Sequence, residues 1–305
     1  MSKRKTPPVY STTIRQTWKP FESGRMRSVL SGKTGLMGLI GHPVAHSLSP
    51  RMHNAAFAAD GSDYVYVAMD VSPEHLPAAV EGLTALGFIG FNVTMPHKKA
   101  ILPLLDELDE SAHISGAVNT VVSENALRGF NTDGSGFVEA SQEAGVEFPG
   151  RRVLIVGAGG AAAAVAAAVL AKGVSRLEIV NRSRDRAEGL RDRLSTAIQG
   201  TEIRIRPWKE VAEAAAEAEV LVNTTYLGMK EDDPLPVPAG TLTAEKVVCD
   251  AVYLAGRETA LIRYAREAGA RTVPGGRMLL YQGVQAQRKW IGREPNVKAM
   301  SDVLS

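Results

Sequence analysis

From residue 35 onward, apolar and polar positions fall into short, regularly punctuated blocks. LMGLIG (36–41) is a compact apolar run followed by turn residues, the pattern of a buried strand. Ser49-Pro50 then opens a helix, RMHNAAFAAD, with serine placed to cap it and proline in the first turn; it stops near Gly61. YVYVAMDV (64–71) alternates as a half-buried strand does, HLPAAVEGLTALG is a helix closed by Gly87, and GFIGFNV is the next strand. A second series begins at RRVLIVGAGG and continues through AAAAVAAAVLA (161–171), SRLEIV, VLVNTTYLGM (220–229) and VVCDAVY (247–253). The alanine run reads as a tightly packed helix, since eleven residues are too few to cross a bilayer. Strands alternating with helices predict an α/β fold built of βαβ units with mainly parallel sheets.

At 305 residues the chain suits two domains, and 45% hydrophobic against 22% charged residues implies packed cores. A net charge of +2 gives no argument for nucleic acid. The charge is uneven, however. Residues 1–33 hold eight Lys/Arg against Glu22 alone, a net +7, which leaves −5 for the remainder. This leader has the Arg- and Ser-rich, acid-poor character of a transit peptide, yet reads rather as a flexible tail; it has no apolar stretch fit for a signal peptide or a membrane span. The single cysteine, Cys249, excludes an internal disulfide, fits a reducing cytoplasm, and sits in an apolar run where a buried, inert thiol is expected.

Two suggestive patterns fail. SGKTG (31–35) resembles the end of a phosphate loop, but Arg27 stands where its first glycine is required. His42, His46 and His53 lack an accompanying carboxylate or cysteine cluster, and Pro43 breaks any helix that would align the first pair, so no metal is expected.

Arg152-Val-Leu-Ile-Val-Gly-Ala-Gly-Gly-Ala161 is a strand, a glycine turn and a helix start, the context in which G-x-G-x-x-G/A signifies a dinucleotide site. Gly157 permits the tight turn, Gly159 lets backbone approach a pyrophosphate, Ala162 fills the third position, and the helix N-terminus offers unpaired N–H groups. The next strand runs into Asn181 without the acid that would bind a ribose diol. Arg182, Ser183, Arg184 and Arg186 follow, and guanidinium groups suit a 2′-phosphate, so NADP is favoured over NAD, although Asp185 lies in the same loop. Asn223, Thr224 and Thr225 end the VLVN strand, where they are expected to line the nicotinamide side.

The stretch FNVTMPHKK (91–99) leaves open whether Lys98, Lys99 or neither performs chemistry, because charges beyond a strand that stops at a proline are ordinary. Its context decides. HSLSP (46–50), NVTMPHK (92–98), GAVNT (116–120), GFNTDG (129–134), GAGGA (157–161), NRSRDR (181–186), NTTYLGM (223–229), DAVY (250–253) and MLLYQG (278–283) occur in this order. Together they closely resemble the shikimate/quinate dehydrogenase family, over about residues 35–295.

The resemblance implies a two-domain enzyme with its active site in the interdomain cleft. It implies reversible NADP-linked oxidation of shikimate to 3-dehydroshikimate in aromatic amino-acid biosynthesis, with no nucleic-acid or membrane partner, and leaves monomer and homodimer open. By position it assigns catalysis to Lys98 and Asp133 and the substrate carboxylate to Ser47 and Ser49. Thr94, Asn119, Tyr253 and Gln282 surround the ring. Cofactor contacts fall to Gly157, Ala158, Gly159, Gly160, Ala161, Asn181, Arg182, Ser183, Arg186, Thr224 and Met278. Residues 34–132 with 276–305 would form the substrate domain, and 133–275 an inserted Rossmann domain.

Elementary chemistry agrees. A small polyol acid needs short polar side chains, two serines at a helix start can meet a carboxylate, and removing a hydride from an alcohol requires its hydroxyl proton to leave, which a lysine tuned by a carboxylate can accept. Which of the two takes the proton stays open. Arg277, where the family usually has a glycine, puts one cofactor contact in question. Two rival readings are an NAD-using quinate/shikimate dehydrogenase and a catalytically idle NADP-binding regulator.

Overall fold

The computed structural model describes residues 30–304; of the basic leader, residues 1–29 lie outside the described part. The first sheet is built from β1 (Gly35–Gly41), β2 (Tyr64–Asp70), β3 (Phe88–Val93), β4 (Glu107–Leu108), β5 (Thr120–Ser123) and β6 (Leu127–Phe130), in the order β2-β1-β3-β5-β6-β4. Helices α1 (Ser49–Ala59), α2 (Leu76–Ala85), α3 (His97–Ala100) and α4 (Glu110–Ser115) connect its strands. The second sheet contains β7 (Arg152–Val156), β8 (Arg176–Val180), β9 (Glu202–Arg206), β10 (Val220–Asn223), β11 (Val247–Asp250) and β12 (Arg271–Val273), in the order β12-β11-β10-β7-β8-β9. Its helices are α6 (Gly160–Ala171), α7 (Arg184–Ala197), α8 (Val211–Glu217) and α9 (Ala260–Glu267); α5 (Asp133–Glu143) precedes it, and α10 (Gly275–Ile291) and α11 (Val297–Asp302) complete the chain.

The second sheet is parallel throughout. Its strand order reverses at β7, so a ligand crevice opens at the carboxyl ends of β7 and β10. The first sheet is parallel around β1 but contains the antiparallel hairpin β5–β6, which the periodicity did not reveal. Four-residue strands are too short to show a period.

Helix α1 corrects one expectation. Leu48, not Ser49, is its capping residue, Ser49 is already helical, and no side chain caps the end. The Ser49 hydroxyl is therefore not committed to its own helix. Elsewhere the local rules hold: Asp109 caps α4 by accepting from Ala112 N, and Gly87 follows α2 at φ +72°.

Apolar layers cover both faces of the second sheet, and α5 and α6 share one of them with α7. On the first sheet, Ala286 and Trp290 of α10 join Met37, Leu39 and Tyr66. Helix α5 is the joint. A Cβ at Gly134 would collide with the Ala164 carbonyl on α6, and one at Gly136 with the Gln282 backbone on α10. Only glycine lets α5 lie this close to both neighbours. That proximity brings Asp133, at the first position of α5, beside Gln282.

Candidate active site

Lys98 owes its position to a short, well-anchored turn. After β3, Thr94 N donates to Ile40 O at 2.9 Å, the Met95–Pro96 peptide is cis, and α3 makes a single turn. The buried His97 fixes that turn by donating from Nε2 to Val71 O at 2.6 Å, and Lys98 O accepts from Val118 N at 2.8 Å. Lys98 then reaches Asp133, Nζ to Oδ2 2.5 Å, with both side chains mostly buried. Lys99 is exposed.

Asp133 is held from every side. Asn119 Nδ2 donates to its Oδ1 at 2.8 Å, its own N–H donates to Asn131 Oδ1 at 3.0 Å, and it opens α5, where the helix dipole favours negative charge. Asn119 itself is orientated by Thr132 N, which donates to Asn119 Oδ1 at 2.8 Å, and by Thr120 Oγ1 at 2.9 Å. Asn119 Nδ2 also lies 3.5 Å from Gln282 Oε1. The Lys98–Asp133 pair is thus part of a buried polar network with few unmatched groups, the condition under which such a network is rigid.

These residues face a cavity of about 330 Å³. Its walls bring together Ser47, Ser49, Thr94, Lys98, Asn119, Asp133, Tyr253 and Gln282, drawn from segments up to more than 200 residues apart in the chain. Ala161 and Met278 reach it from the dinucleotide side, as does Met229, which the motif reading did not single out as a site residue. Across the mouth, Tyr226 donates its hydroxyl to Met95 Sδ at 2.6 Å, joining the two sheets' loops. Burial pushes the Tyr253 phenol above its usual range.

Several wall residues escaped the sequence reading. Asn92, in β3 and two residues before Thr94, is one of them. It is buried and lines the cavity; its Nδ2 donates to Asn119 O at 3.0 Å and Thr120 Oγ1 at 3.1 Å. Behind it, Tyr66 donates to Asn92 Oδ1 at 2.7 Å; burial pushes the phenol well up, against a hydrogen bond from Ser49. Tyr66 in turn stacks on His53, ring centroids 4.3 Å apart, and burial lowers that imidazole to about 3. His53 is therefore a neutral core ring.

The dinucleotide side is made differently. Gly157 has φ +121°, and a Cβ there would collide with Thr224 Oγ1. Nothing lies within 4 Å of where a Gly159 Cβ would stand, so backbone at that point is open to a ligand. Gly159 precedes α6 without a side-chain cap, which leaves the first N–H groups of Gly160 and Ala161 pointing outward beside Ala158. In the next loop Asn181 Nδ2 donates to Ser183 O at 2.8 Å, and Ser183 caps α7 by accepting from Arg186 N. Arg184 is engaged by Glu188 at 2.8 Å, whereas Arg182 and Arg186 are exposed and form no ion pair among the described residues. The donor set fits NADP: glycine backbone and a helix N-terminus for the pyrophosphate, two free guanidinium groups for a 2′-phosphate.

One expectation needs correction here. Asn223 does not line the nicotinamide side: it is fully buried, donates to Asp250 Oδ1 at 2.9 Å and Leu227 O at 3.1 Å, and accepts from Thr225 Oγ1 at 2.7 Å. The Thr224 hydroxyl is likewise engaged under the glycine turn, donating to Val156 O at 2.8 Å. Arg277, which stands where the family usually has a glycine, is engaged with α5, α11 and the Tyr281 ring. Its guanidinium clasps Glu143 of α5, Nε to Oε2 2.7 Å with NH2 on Oε1, donates to Ser301 Oγ at 2.8 Å, and lies over the Tyr281 ring.

Comparison with known proteins gives this geometry a context. Residues 39–121 match the family model described as shikimate dehydrogenase substrate binding domain, and residues 139–228 the one described as shikimate / quinate 5-dehydrogenase. The chain is 59% identical over 278 residues to the shikimate dehydrogenase (NADP(+)) of Rubrobacter xylanophilus, covering 90% of this chain and 97% of that one. Among solved structures, shikimate 5-dehydrogenase from Listeria monocytogenes in complex with shikimate and NAD superposes with a TM-score of 0.85 at 36% identity, covering 92% of this chain and 99% of the other. The Thermus thermophilus enzyme in complex with NADP(H) and shikimate gives 0.79 at 36% identity, covering 88% and 98%. With family models matching both residues 39–121 and 139–228, and 59% identity over 90% of its length, the chain belongs to the shikimate/quinate dehydrogenase family.

Proposed function

We infer that this protein catalyses the reversible NADP-linked oxidation of shikimate to 3-dehydroshikimate. The observation that carries the reading is the Lys98–Asp133 pair, 2.5 Å apart, in a cavity that also receives two serine hydroxyls and residues from the dinucleotide side. Ser47 and Ser49 hold the substrate carboxylate. Thr94, Asn119, Tyr253 and Gln282 hydrogen-bond the ring hydroxyls, with Asn92 as a further contact. NADP⁺, when bound, would supply the hydride acceptor for the alcohol carbon. The Lys98–Asp133 pair receives the hydroxyl proton, so that the C–H and O–H bonds lost become one C=O bond, and Asn119 keeps the carboxylate aimed while the pair titrates as a unit. The glycine turn 157–161, Asn181, Arg182, Ser183, Arg186, Thr224 and Met278 hold the dinucleotide. Because Thr224 acts through its contact with the Gly157 turn, its part is to shape that turn.

The domain division that fits this reading assigns residues 34–132 and 276–305 to substrate binding and 133–275 to the dinucleotide, hinged near α5. Closure of the cleft would exclude water from the hydride path. The reducing cytoplasm is the proposed compartment, with the enzyme acting as monomer or homodimer.

The decisive assay is purified protein with shikimate and NADP⁺, followed by NADPH absorbance, with NAD⁺ and quinate in parallel. Turnover fastest with shikimate and NADP⁺ is expected. Preference for NAD⁺ would reject the role given to Arg182 and Arg186. Tight NADP binding without turnover of any ring acid would favour the idle regulator.

A further inference from the structure

Behind the cavity wall lies a buried carboxylate with no part in the chemistry above. Asp250 ends β11 and is 3% exposed. Its Oδ1 accepts from Asn223 Nδ2 at 2.9 Å and from Val252 N at 3.0 Å, and its Oδ2 accepts from Thr259 Oγ1 at 2.6 Å. These partners sit at critical places. Asn223 ends the neighbouring strand and governs the 224–229 loop through Thr225 and Leu227. Val252 and Thr259 flank the segment that carries Tyr253, and Thr259 starts α9. A Cβ at Gly275 would collide with the Val252 carbonyl, so the start of α10 rests directly on the same segment.

An aspartate here is an unusual choice. Burial raises it to about 6 in spite of three hydrogen bonds, so the site retains a group whose charge is costly to bury. Accepting on both oxygens at once, the Asp250 carboxylate ties both ends of one loop to the adjacent strand end. Asp250 thus joins the Tyr253 segment to Asn223, whose side chain in turn bonds Thr225 and Leu227 of the 224–229 loop.

We propose that Asp250 is a positioning residue for substrate binding: it fixes the 251–259 segment so that Tyr253 is presented to the ring. The proposal rests on the reading of Tyr253 as a substrate contact, and the test separates the two. Shikimate KM and kcat are measured for Asp250→Ala, Tyr253→Phe and the double variant, with Asp250→Asn as the conservative replacement. Tyr253→Phe is expected to raise KM about tenfold, and Asp250→Ala to raise it by a similar factor with a smaller change in kcat. In the Tyr253→Phe background Asp250→Ala should add less than about twofold, since both act through one contact. Asp250→Asn should recover most of the loss, because its amide oxygen still accepts from Asn223 and Val252 while the Thr259 hydroxyl turns to accept.

An equal KM increase from Asp250→Ala in both backgrounds would overturn the proposal, as would an Asn variant no better than Ala. A wild-type KM for Tyr253→Phe would instead overturn the contact on which it rests. If Asp250→Ala does not fold, Thr259→Val removes one of the three donors. It should raise KM about threefold in the native background and leave it unchanged beside Tyr253→Phe; an equal rise in both would overturn the proposal.

Discussion

The two walls of the cleft are built by opposite means. The wall at the end of the first sheet is a lattice of side chains: Asn119, Thr120, Thr132 and Asp133 are all buried and bonded to one another, with Lys98 at the edge. The wall at the end of the second sheet is mostly backbone, the glycine turn and the first N–H groups of α6, with two exposed guanidinium groups at the far end. A small ring acid has stereochemistry that must be read by fixed groups, each already satisfied in one orientation. A dinucleotide has a long anionic spine, which a backbone cradle and mobile charges can follow.

The largest effect should come from the rigid wall. Lys98→Ala is expected to lower kcat by about a thousandfold with a smaller rise in shikimate KM, measured by steady-state kinetics, because the pair proposed to accept the proton is broken and Asp133 left buried without Lys98. Normal turnover would demote Lys98 to a surface charge. The exposed wall should respond differently. Replacing Arg182 and Arg186 together by Ala should raise KM for NADP⁺ about 30-fold, equivalent to ~2 kcal/mol, leave the NAD⁺ reaction unchanged, and show a strong salt dependence in the native protein. Equal losses with both cofactors would mean that the arginines serve the fold.

The walls should also differ in their tolerance of acid. His53 lies beneath the Tyr66–Asn92 contact, and its ring is held at about 3 against an ordinary 6.5. A base depressed in the folded state contributes fully above pH 6.5 and loses that contribution as pH falls toward 3. Between pH 6.5 and 5 the loss is about 2 kcal/mol. Chemical denaturation of native protein and His53→Phe across this range should show the gap between them shifting by that amount in favour of the phenylalanine; a constant gap would place the ring in contact with solvent. The smallest effect is expected at Arg277. Its ion pair with Glu143 is about one-third exposed, so Arg277→Ala should cost about 1 kcal/mol of stability and leave KM for NADP⁺ unaltered. An altered cofactor KM would mean that the arginine does reach the crevice.

How much of this was readable in advance depends on the distance over which each residue is specified. Strands β1, β2, β3 and β7 and helices α1, α2 and α6 were visible because their apolar period is local. The nine ordered motifs marked Lys98 and Asp133, although no period connects position 98 with position 133. Asn92 lay within the quoted NVTMPHK motif but was not singled out. The hairpin β5–β6 carried none, its strands being four residues each.

Local chemistry sufficed for the βαβ repeat, the glycine turn and the arginine-bearing loop, because each is encoded within a few consecutive residues whose conformational preferences do not need a partner. It could not say that Ser49 leaves its own cap unmade, that Asn223 faces inward to Asp250, or that Arg277 reaches back to Glu143, 134 positions earlier. A polar side chain buried away from water must find whichever partner the fold puts within 3 Å, and that partner is set by how sheets and helices meet, through contacts such as Gly136 against Gln282, rather than by the residues beside it in the chain.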